Sequence, residues 1–139
     1  MTMASYWVLK SEPDAYSFAQ LVRDKRTVWD GVRNAQALVH LRGMQKGDLA
    51  LFYHTGKERQ LVGIARVASG PYPDPKSGDP KATVVDLVAE RALPRPVPLA
   101  AIKAEPALST LGLVRQGRLS VVPVPPAQWK QLLEMAGES

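Results

Sequence analysis

Three short segments of the sequence combine aromatic rings with hydrogen-bonding side chains. They are Lys10–Pro13, Trp29–Asn34 and Phe52–Thr55. A planar ligand with a polar edge needs this combination, because its face stacks on an aromatic ring and its edge needs fixed donors and acceptors. We therefore predict that the three segments, although distant in the chain, fold together into one ring-sized pocket with an indole wall.

Each segment stands at the end of a predicted element, where binding sites are commonly built. Aromatic, β-branched or alternating apolar residues predict five strands: Tyr6–Lys10, Leu49–His54, Leu61–Val67, Ala82–Arg91 and Arg118–Val124. Capping residues and helical spacing predict helices from the N-cap Ser17 to about Asp24, from Asn34 to Arg42, and from Pro126 to Ala136. Gly63 inside a strand indicates either a close approach of another group to the backbone or a bend.

The remaining segments carry turn and breaker signals. Thr27–Asn34 is predicted as an irregular connection, Ser69–Pro80 as a loop and Leu99–Leu111 as broken helical turns. Three prolines exclude Leu93–Pro98 from the centre of a sheet, because proline has no backbone N–H to donate. The strands do not alternate regularly with helices, so we predict a mixed α/β (α+β) fold with a curved, partly closed sheet.

The composition bounds the function classes. The 139 residues predict a single domain over 1–139, and 18 Lys and Arg against 13 Asp and Glu give a net charge of +5, which suits a polyanionic partner. The absence of Cys excludes disulfides and thiol nucleophiles, and two His exclude a His-rich metal site. No apolar run is long enough for a membrane helix, and the first residues, MTMASYWVLKSEP, lack the pattern of a signal peptide. We expect a cytoplasmic protein without metal or cofactor.

No catalytic template is present, since the phosphate-binding, dinucleotide-binding, zinc-protease and serine-hydrolase motifs are all missing. Glu12 and Asp14 form an acidic pair, but two carboxylates in one turn are more often solvated than catalytic. An enzyme acting on a nucleobase remains an alternative, with His54 or Glu12 as its general base. A small-molecule pocket or an interaction scaffold is the third class.

Each candidate site residue also has a purely structural explanation. Trp29 fits a core position, Arg33 a surface ion pair, Asn34 a helix N-cap and His54 a hydrogen-bonded strand residue. The case for a site therefore depends on the occurrence of three such segments in one chain.

The same segments resemble the signature of the EVE domain, in the thymocyte nuclear protein-like group of the PUA-like superfamily. The resemblance covers about residues 5–135 and is carried in order by Tyr6–Pro13, Trp29–Asn34 with Gln36 and Ala37, Met44, Lys46–Asp48, Phe52–Thr55, Val62–Ile64, Tyr72–Pro75 and Arg118–Val124. It implies a pseudo-barrel of about five to six strands with surrounding short helices. It also implies a non-enzymatic reader of modified bases in nucleic acid, in which the base is extruded into a pocket.

Carried over by position, the resemblance implies a base pocket lined by Lys10, Ser11, Glu12, Trp29, Val32, Arg33, Asn34, Tyr53 and His54. The base is expected to stack on Trp29, with Tyr53 or Trp7 on its far side. Ser11, Glu12 and Asn34 are expected to bond its edge, and phosphate contacts are expected from Lys10, Arg33, Arg42 and Lys57. The chain departs from the family pattern at Val84 and Val85, where an aromatic residue is expected.

Overall fold

The computed structural model describes residues 5–138, which form seven strands, five α-helices and one 3-10 turn. The strands are β1 (Tyr6–Ser11), β2 (Arg26–Trp29), β3 (Leu49–His54), β4 (Gln60–Val67), β5 (Tyr72–Pro73), β6 (Thr83–Pro98) and β7 (Val121–Val124). The helices are α1 (Phe18–Asp24), α2 (Ala35–Arg42), α3 (Leu99–Ala104), α4 (Gly112–Arg115) and α5 (Pro126–Met135), with the 3-10 turn at Pro106–Leu108. The predictions for residues 1–4 and 139 lie outside the described residues.

The strands form one mixed sheet in the order β2-β6-β4-β3-β1-β7, with β5 added beside β6. β1 runs parallel to β3, and every other strand pair of the described part is antiparallel. Within residues 5–138 the two end strands, β2 and β7, do not pair with each other, so the sheet is open. The mixed α/β class and the PUA-like architecture are confirmed, with a sheet that stops short of a closed barrel over the described residues.

The predicted number of strands was too low, because β2 and β5 were not recognised. β2 occupies the first half of the predicted irregular connection Thr27–Asn34 and pairs with β6, Trp29 opposite Val85. Only four and two residues long, these strands have too little alternation to be detected, and they exist because β6 offers them a partner.

β6 is also longer than predicted, because it continues through the three prolines to Pro98. In this second half of β6, Val97 pairs with Leu61 of β4, and Pro98 pairs with Gln60 of β4. The ladder of β2 lies further back, at residues 85–88, so Leu93–Pro98 pairs on one side only. The prediction that this segment avoids the centre of the sheet was correct, and the strand tolerates its prolines because one edge needs no donors.

The start of each of the first two helices is set by its predicted cap. The Ser17 side chain accepts a hydrogen bond from the backbone N–H of Gln20 at 3.1 Å, and that of Asn34 accepts one from Ala37 at 3.0 Å. These bonds satisfy backbone donors that a helix leaves free in its first turn. They also fix where the chain enters α1 and α2, and therefore the loops before each helix.

Helix α1 is anchored to the sheet by Phe18. The Phe18 ring packs edge-on against Phe52 with 5.5 Å between ring centroids, and it lies directly over Gly63. The predicted close approach at Gly63 is thus a contact with an aromatic ring. Phe18, Leu21, Phe52 and Ala65 form a small apolar cluster separate from the main core, which lies between the sheet and the other helices. No helix among the described residues is long and apolar enough to span a membrane.

Candidate functional site

A cleft of about 870 Å³ opens where β1 ends and β2 passes close to it. Its floor and walls come from the end of β1, the turn that follows, β2 with the start of the next loop, and two residues of distant loops. The lining residues are Lys10, Ser11, Glu12, Ala15, Tyr16, Arg26, Thr27, Val28, Trp29, Asp30, Gly31, Val32, Lys76 and Ser120. The volume falls within the range of small-ligand sites in proteins.

Trp29 forms the aromatic wall of the cleft. Its half-buried indole packs against both apolar clusters, which fixes its position. Phe52 meets it at 5.4 Å and 75°, and Tyr16 at 6.2 Å and 74°, measured between ring centroids and ring planes. Both contacts are edge-to-face, so in the described part of the chain no ring stacks parallel on this indole. A planar ligand therefore has an unoccupied stacking geometry to adopt.

The turn after β1 is held rigidly and presents polar groups to the cleft. The Ser11 hydroxyl donates to the carbonyl of Tyr16 at 2.5 Å. The backbone N–H groups of Ala15 and Tyr16 both donate to the carbonyl of Glu12, at 2.9 and 2.8 Å. The Ser11 hydroxyl hydrogen is thereby used within the protein and its oxygen remains an acceptor. The Glu12 side chain is exposed and belongs to none of the ion pairs within residues 5–138.

Arg26 on the rim is tied to the sheet through Asp86. Its guanidinium lies 2.6 Å from the Asp86 carboxylate, which also accepts a 2.6 Å hydrogen bond from the Tyr72 hydroxyl. The hydrogen bonds from Tyr72 and Arg26 hold the pKa of Asp86 below its usual value, and the same carboxylate raises the pKa of Tyr72. One carboxylate thus joins β2, β5 and β6, and so supports the strand that carries Trp29.

The nine predicted site residues separate into three groups, the last of which is His54 alone. Five of them line the Trp29 cleft: Lys10, Ser11, Glu12, Trp29 and Val32. Arg33, Asn34 and Tyr53 line three smaller neighbouring clefts. The side-chain oxygen Oδ1 of Asn34 accepts the capping hydrogen bond at the start of α2. Asn34 therefore has the structural role of a helix N-cap, which its position in the sequence also indicated.

His54 does not line the Trp29 cleft and is 7% exposed. Its Nε2 accepts a hydrogen bond from the backbone N–H of Phe18 at 3.0 Å, and its Nδ1 lies 2.9 Å from a carboxylate oxygen of Glu58. Because Nε2 is an acceptor, the ring hydrogen of the neutral form is on Nδ1 and is donated to Glu58. This hydrogen bond is the main reason that the pKa of Glu58 is lowered. His54 therefore holds α1 against the sheet.

Three further residues lie away from the Trp29 cleft. Trp7 is buried, and its indole N–H donates to Asp48 at 3.0 Å beside another cleft. Arg42 bonds to Thr83 and to the carbonyl of Lys81, while Lys57 is exposed in the loop between β3 and β4. Among residues 5–138, no three His, Asp or Glu side chains lie close enough together to hold a metal ion.

The lining residues that sequence reasoning missed include Tyr16, Arg26, Lys76 and Ser120. Two had a usable signal, because Tyr16 follows the Ser11-Glu12-Pro13 turn and Ser120 lies inside the quoted segment Arg118–Val124. Arg26 depends on the unrecognised strand β2. Lys76 comes from the loop between β5 and β6, whose position no local pattern indicates.

The model of the EVE domain matches residues 5–135, nearly the whole chain. The chain belongs to the EVE domain family. Among its relatives, mouse thymocyte nuclear protein 1 is 32% identical over 167 aligned positions, which cover 96% of this EVE domain chain and 74% of the mouse protein. The match to the human protein of the same name covers 57% of that protein.

Solved structures of similar chains have the same fold. A protein of Rhodopseudomonas palustris, determined by NMR, is 41% identical with a TM-score of 0.92, and the match covers 96% of this chain and 94% of that one. Human THYN1 protein, crystallised in complex with DNA that contains 5-methylcytosine, is 30% identical with a TM-score of 0.89, covering 98% of this EVE domain chain and 99% of that one.

Proposed function

We propose that this protein, as a single EVE domain over residues 1–139, binds nucleic acid that contains a modified cytosine and takes the modified base into the Trp29 cleft. The observation that carries the proposal is the cleft itself, which combines an indole without a stacked partner with a rigid polar turn. The complex of human THYN1 protein with 5-methylcytosine-containing DNA supports the choice of ligand. The role requires access to nucleic acid, and we propose the cytoplasm as its location.

Stacking on Trp29 supplies affinity without selecting the base. Base–aromatic stacking contributes about 1–3 kcal/mol, and every base has a face to offer. Val32, which also lines the cleft, offers apolar surface to a 5-methyl group. Burial of one methyl group is worth about 0.8 kcal/mol, which corresponds to a preference of roughly fourfold over unmethylated cytosine.

The polar turn supplies base selectivity. The Glu12 carboxylate and the Ser11 hydroxyl oxygen are both acceptors, and both suit the exocyclic amine of cytosine or adenine. Thymine presents a carbonyl oxygen where cytosine has its amine, so these acceptors would repel it. We therefore propose cytosine or adenine derivatives as ligands in preference to thymine.

We propose binding without catalysis. His54, the first candidate for a general base, has both ring nitrogens engaged and is not among the residues that line the cleft, so it is not placed to take a proton from a ligand there. Glu12, the second candidate, is exposed, and no neighbouring group shields its carboxylate from water. Turnover of a modified nucleoside during incubation with the protein, measured by mass spectrometry, would contradict this part of the proposal.

The binding test uses matched oligonucleotides that contain cytosine or 5-methylcytosine, single- and double-stranded, titrated by fluorescence anisotropy. Replacement of Trp29 by Ala should weaken binding roughly five- to 150-fold, the equivalent of the stacking energy. Trp29→Phe keeps an aromatic face and should retain most of the affinity. Because Trp29 also contacts the core, a thermal unfolding curve must show that each variant is folded. Unchanged affinity in a folded Trp29→Ala variant would refute the base site.

A further inference from the structure

A second, smaller cleft adjoins the Trp29 cleft and shares Lys10 with it. Its volume is about 280 Å³. It is formed by the ends of β1 and β3, the loop after β3, helix α3, and the chain around α4. The residues that line it are Lys10, Tyr53, Thr55, Gly56, Arg59, Leu99, Lys103, Leu113, Val114 and Gly117.

This cleft has three cations and no carboxylate in its lining. Lys10, Arg59 and Lys103 come from three different elements, and none of them belongs to an ion pair within the described range 5–138. The Trp29 cleft differs, because Glu12 and Asp30 accompany its three cations. Positive charges that lie close together without a negative charge between them repel one another, so this arrangement by itself adds nothing to the stability of the folded protein.

The Lys10 side chain is held in place by the fold. Lys10 pairs with Tyr53 across β1 and β3, and its ammonium lies 5.8 Å from the centre of the Tyr53 ring and 2.8 Å from the carbonyl of Gly117. Partial burial lowers the pKa of Lys10, because the ammonium loses water there.

Arg59 has a backbone φ of +47°, a conformation that non-glycine residues rarely adopt. Its carbonyl accepts a 2.8 Å hydrogen bond from the N–H of Leu99, at the start of α3, the helix that carries Lys103. Burial raises the pKa of Tyr53, and the nearby positive charge of Arg59 opposes that shift. The charge of Arg59 thus lies near Tyr53, whose ring also faces the Lys10 ammonium.

We propose that this cationic cleft binds a phosphate group, and that the phosphate belongs to the nucleic acid whose base occupies the Trp29 cleft. The inference rests on the proposed function for its source of phosphate. Lys10 is the wall between the two clefts, so a base on one side and its backbone phosphate on the other would both lie beside its side chain. Phosphate contacts add affinity without base identity, which complements the selectivity of the polar turn.

The first test removes two charges of the cationic cleft and leaves Lys10, which lines both clefts, intact. The double variant Arg59→Gln/Lys103→Gln is compared with Lys130→Gln, which removes one exposed charge on α5, a helix that contributes no residue to the cleft. The double variant should bind cytosine and 5-methylcytosine oligonucleotides about tenfold more weakly, with their ratio unchanged. The slope of log K against log salt should fall by about 0.7–0.9, the loss of one phosphate contact. Salt dependence equal to that of Lys130→Gln, with intact binding, would overturn the phosphate site and leave the base site standing.

The second test titrates inorganic phosphate into the protein and follows backbone amide signals by NMR. Shifts at Thr55 and Gly56 that disappear in the double variant support the anion site, and their absence from the wild type overturns it. If oligonucleotides fail to bind while phosphate shifts these amides, the anion site stands and nucleic acid is refuted as its source. A 5-methylcytidine monophosphate that binds as tightly as the oligonucleotide would identify a free nucleotide as the ligand instead.

Discussion

Replacement of Gly63 by Ala tests how α1 is seated on the sheet. A Cβ atom at this position would lie 2.5 Å from two ring carbons of Phe18, almost an ångström inside the 3.4 Å at which ordinary van der Waals contact begins. The ring has little freedom to retreat, because it is 5% exposed, packs on Phe52, and belongs to a residue whose N–H bonds His54. The helix must therefore shift, and overpacking of this kind costs about 1–3 kcal/mol.

For 139 residues the unfolding entropy is about 0.3 kcal/mol per kelvin, so a loss of about 2 kcal/mol lowers the melting temperature by roughly 7 °C. Differential scanning calorimetry measures this shift. Gly78→Ala is the matched control, because nothing lies within 4 Å of its Cβ position and its φ is not positive. Combining Gly63→Ala with Phe18→Leu should recover part of the loss. A Gly63→Ala variant as stable as Gly78→Ala would show that Phe18 does not hold α1 in this way.

Three further substitutions probe the supports of the cleft, each measured by urea denaturation. Asp86→Asn should lose about 1–2 kcal/mol at neutral pH. The pKa of Asp86 is lower in the folded protein than in the unfolded chain, so its contribution to stability is present above the unfolded pKa near 4 and is lost as pH falls through the folded pKa. If the Asp86→Asn variant remained less stable than the wild type in acid, this assignment would be contradicted. His54→Leu should lower the stability by about 1–3 kcal/mol, because the buried N–H of Phe18 loses its hydrogen-bond acceptor. Glu58→Gln, which changes an exposed partner of His54, should lower it by less than about 1 kcal/mol. Equal losses in the two variants would refute the role of His54. Asn34→Ala should cost about 1 kcal/mol through the lost cap and leave oligonucleotide affinity unchanged, and reduced affinity in the folded variant would reveal a ligand contact.

Local chemistry accounts for the parts of the fold that sequence predicted well. Ser17 and Asn34 mark helix starts because their side chains bond backbone donors three residues further on, an interaction that requires no knowledge of the rest of the chain. The strands that supply Val8 and Leu51 to the core also carry a strong alternating or apolar pattern.

Elements created by a distant partner were not predictable in the same way. In β2, the exposed residues Arg26 and Val28 alternate with the more buried Thr27 and Trp29. An alternation over only four residues is a weaker signal for a strand than the neighbouring Asp30-Gly31 pair is for a turn. The proline-containing half of β6 became a strand only because β4 pairs with it. In both cases the tertiary pairing decides the local structure.

The candidate site was partly predictable for a related reason. Lys10, Ser11 and Glu12 are consecutive residues at the end of one strand, so a prediction that places one of them at the cleft also places the other two there. Tyr53 and His54 end the parallel neighbour of that strand, but neither lines the Trp29 cleft. Tyr53 lines the smaller cleft beside Lys10, and His54 bonds the backbone N–H of Phe18. The neighbouring ends of β1 and β3 therefore indicated where the site lies, but their proximity could not predict which cleft each side chain would line.

The pairing of β1 with β7 has a consequence for synthesis of the protein. β1 is bordered by β3 on one side and by β7 on the other, with Tyr6 opposite Val124. A ribosome makes residues 6–11 more than a hundred residues before residues 121–124, so one edge of this apolar strand stays open through most of translation. Unpaired strand edges recruit other chains. A nascent chain that stalls before Val121 is therefore expected to self-associate, and chaperones that shield such edges should be needed most in that interval.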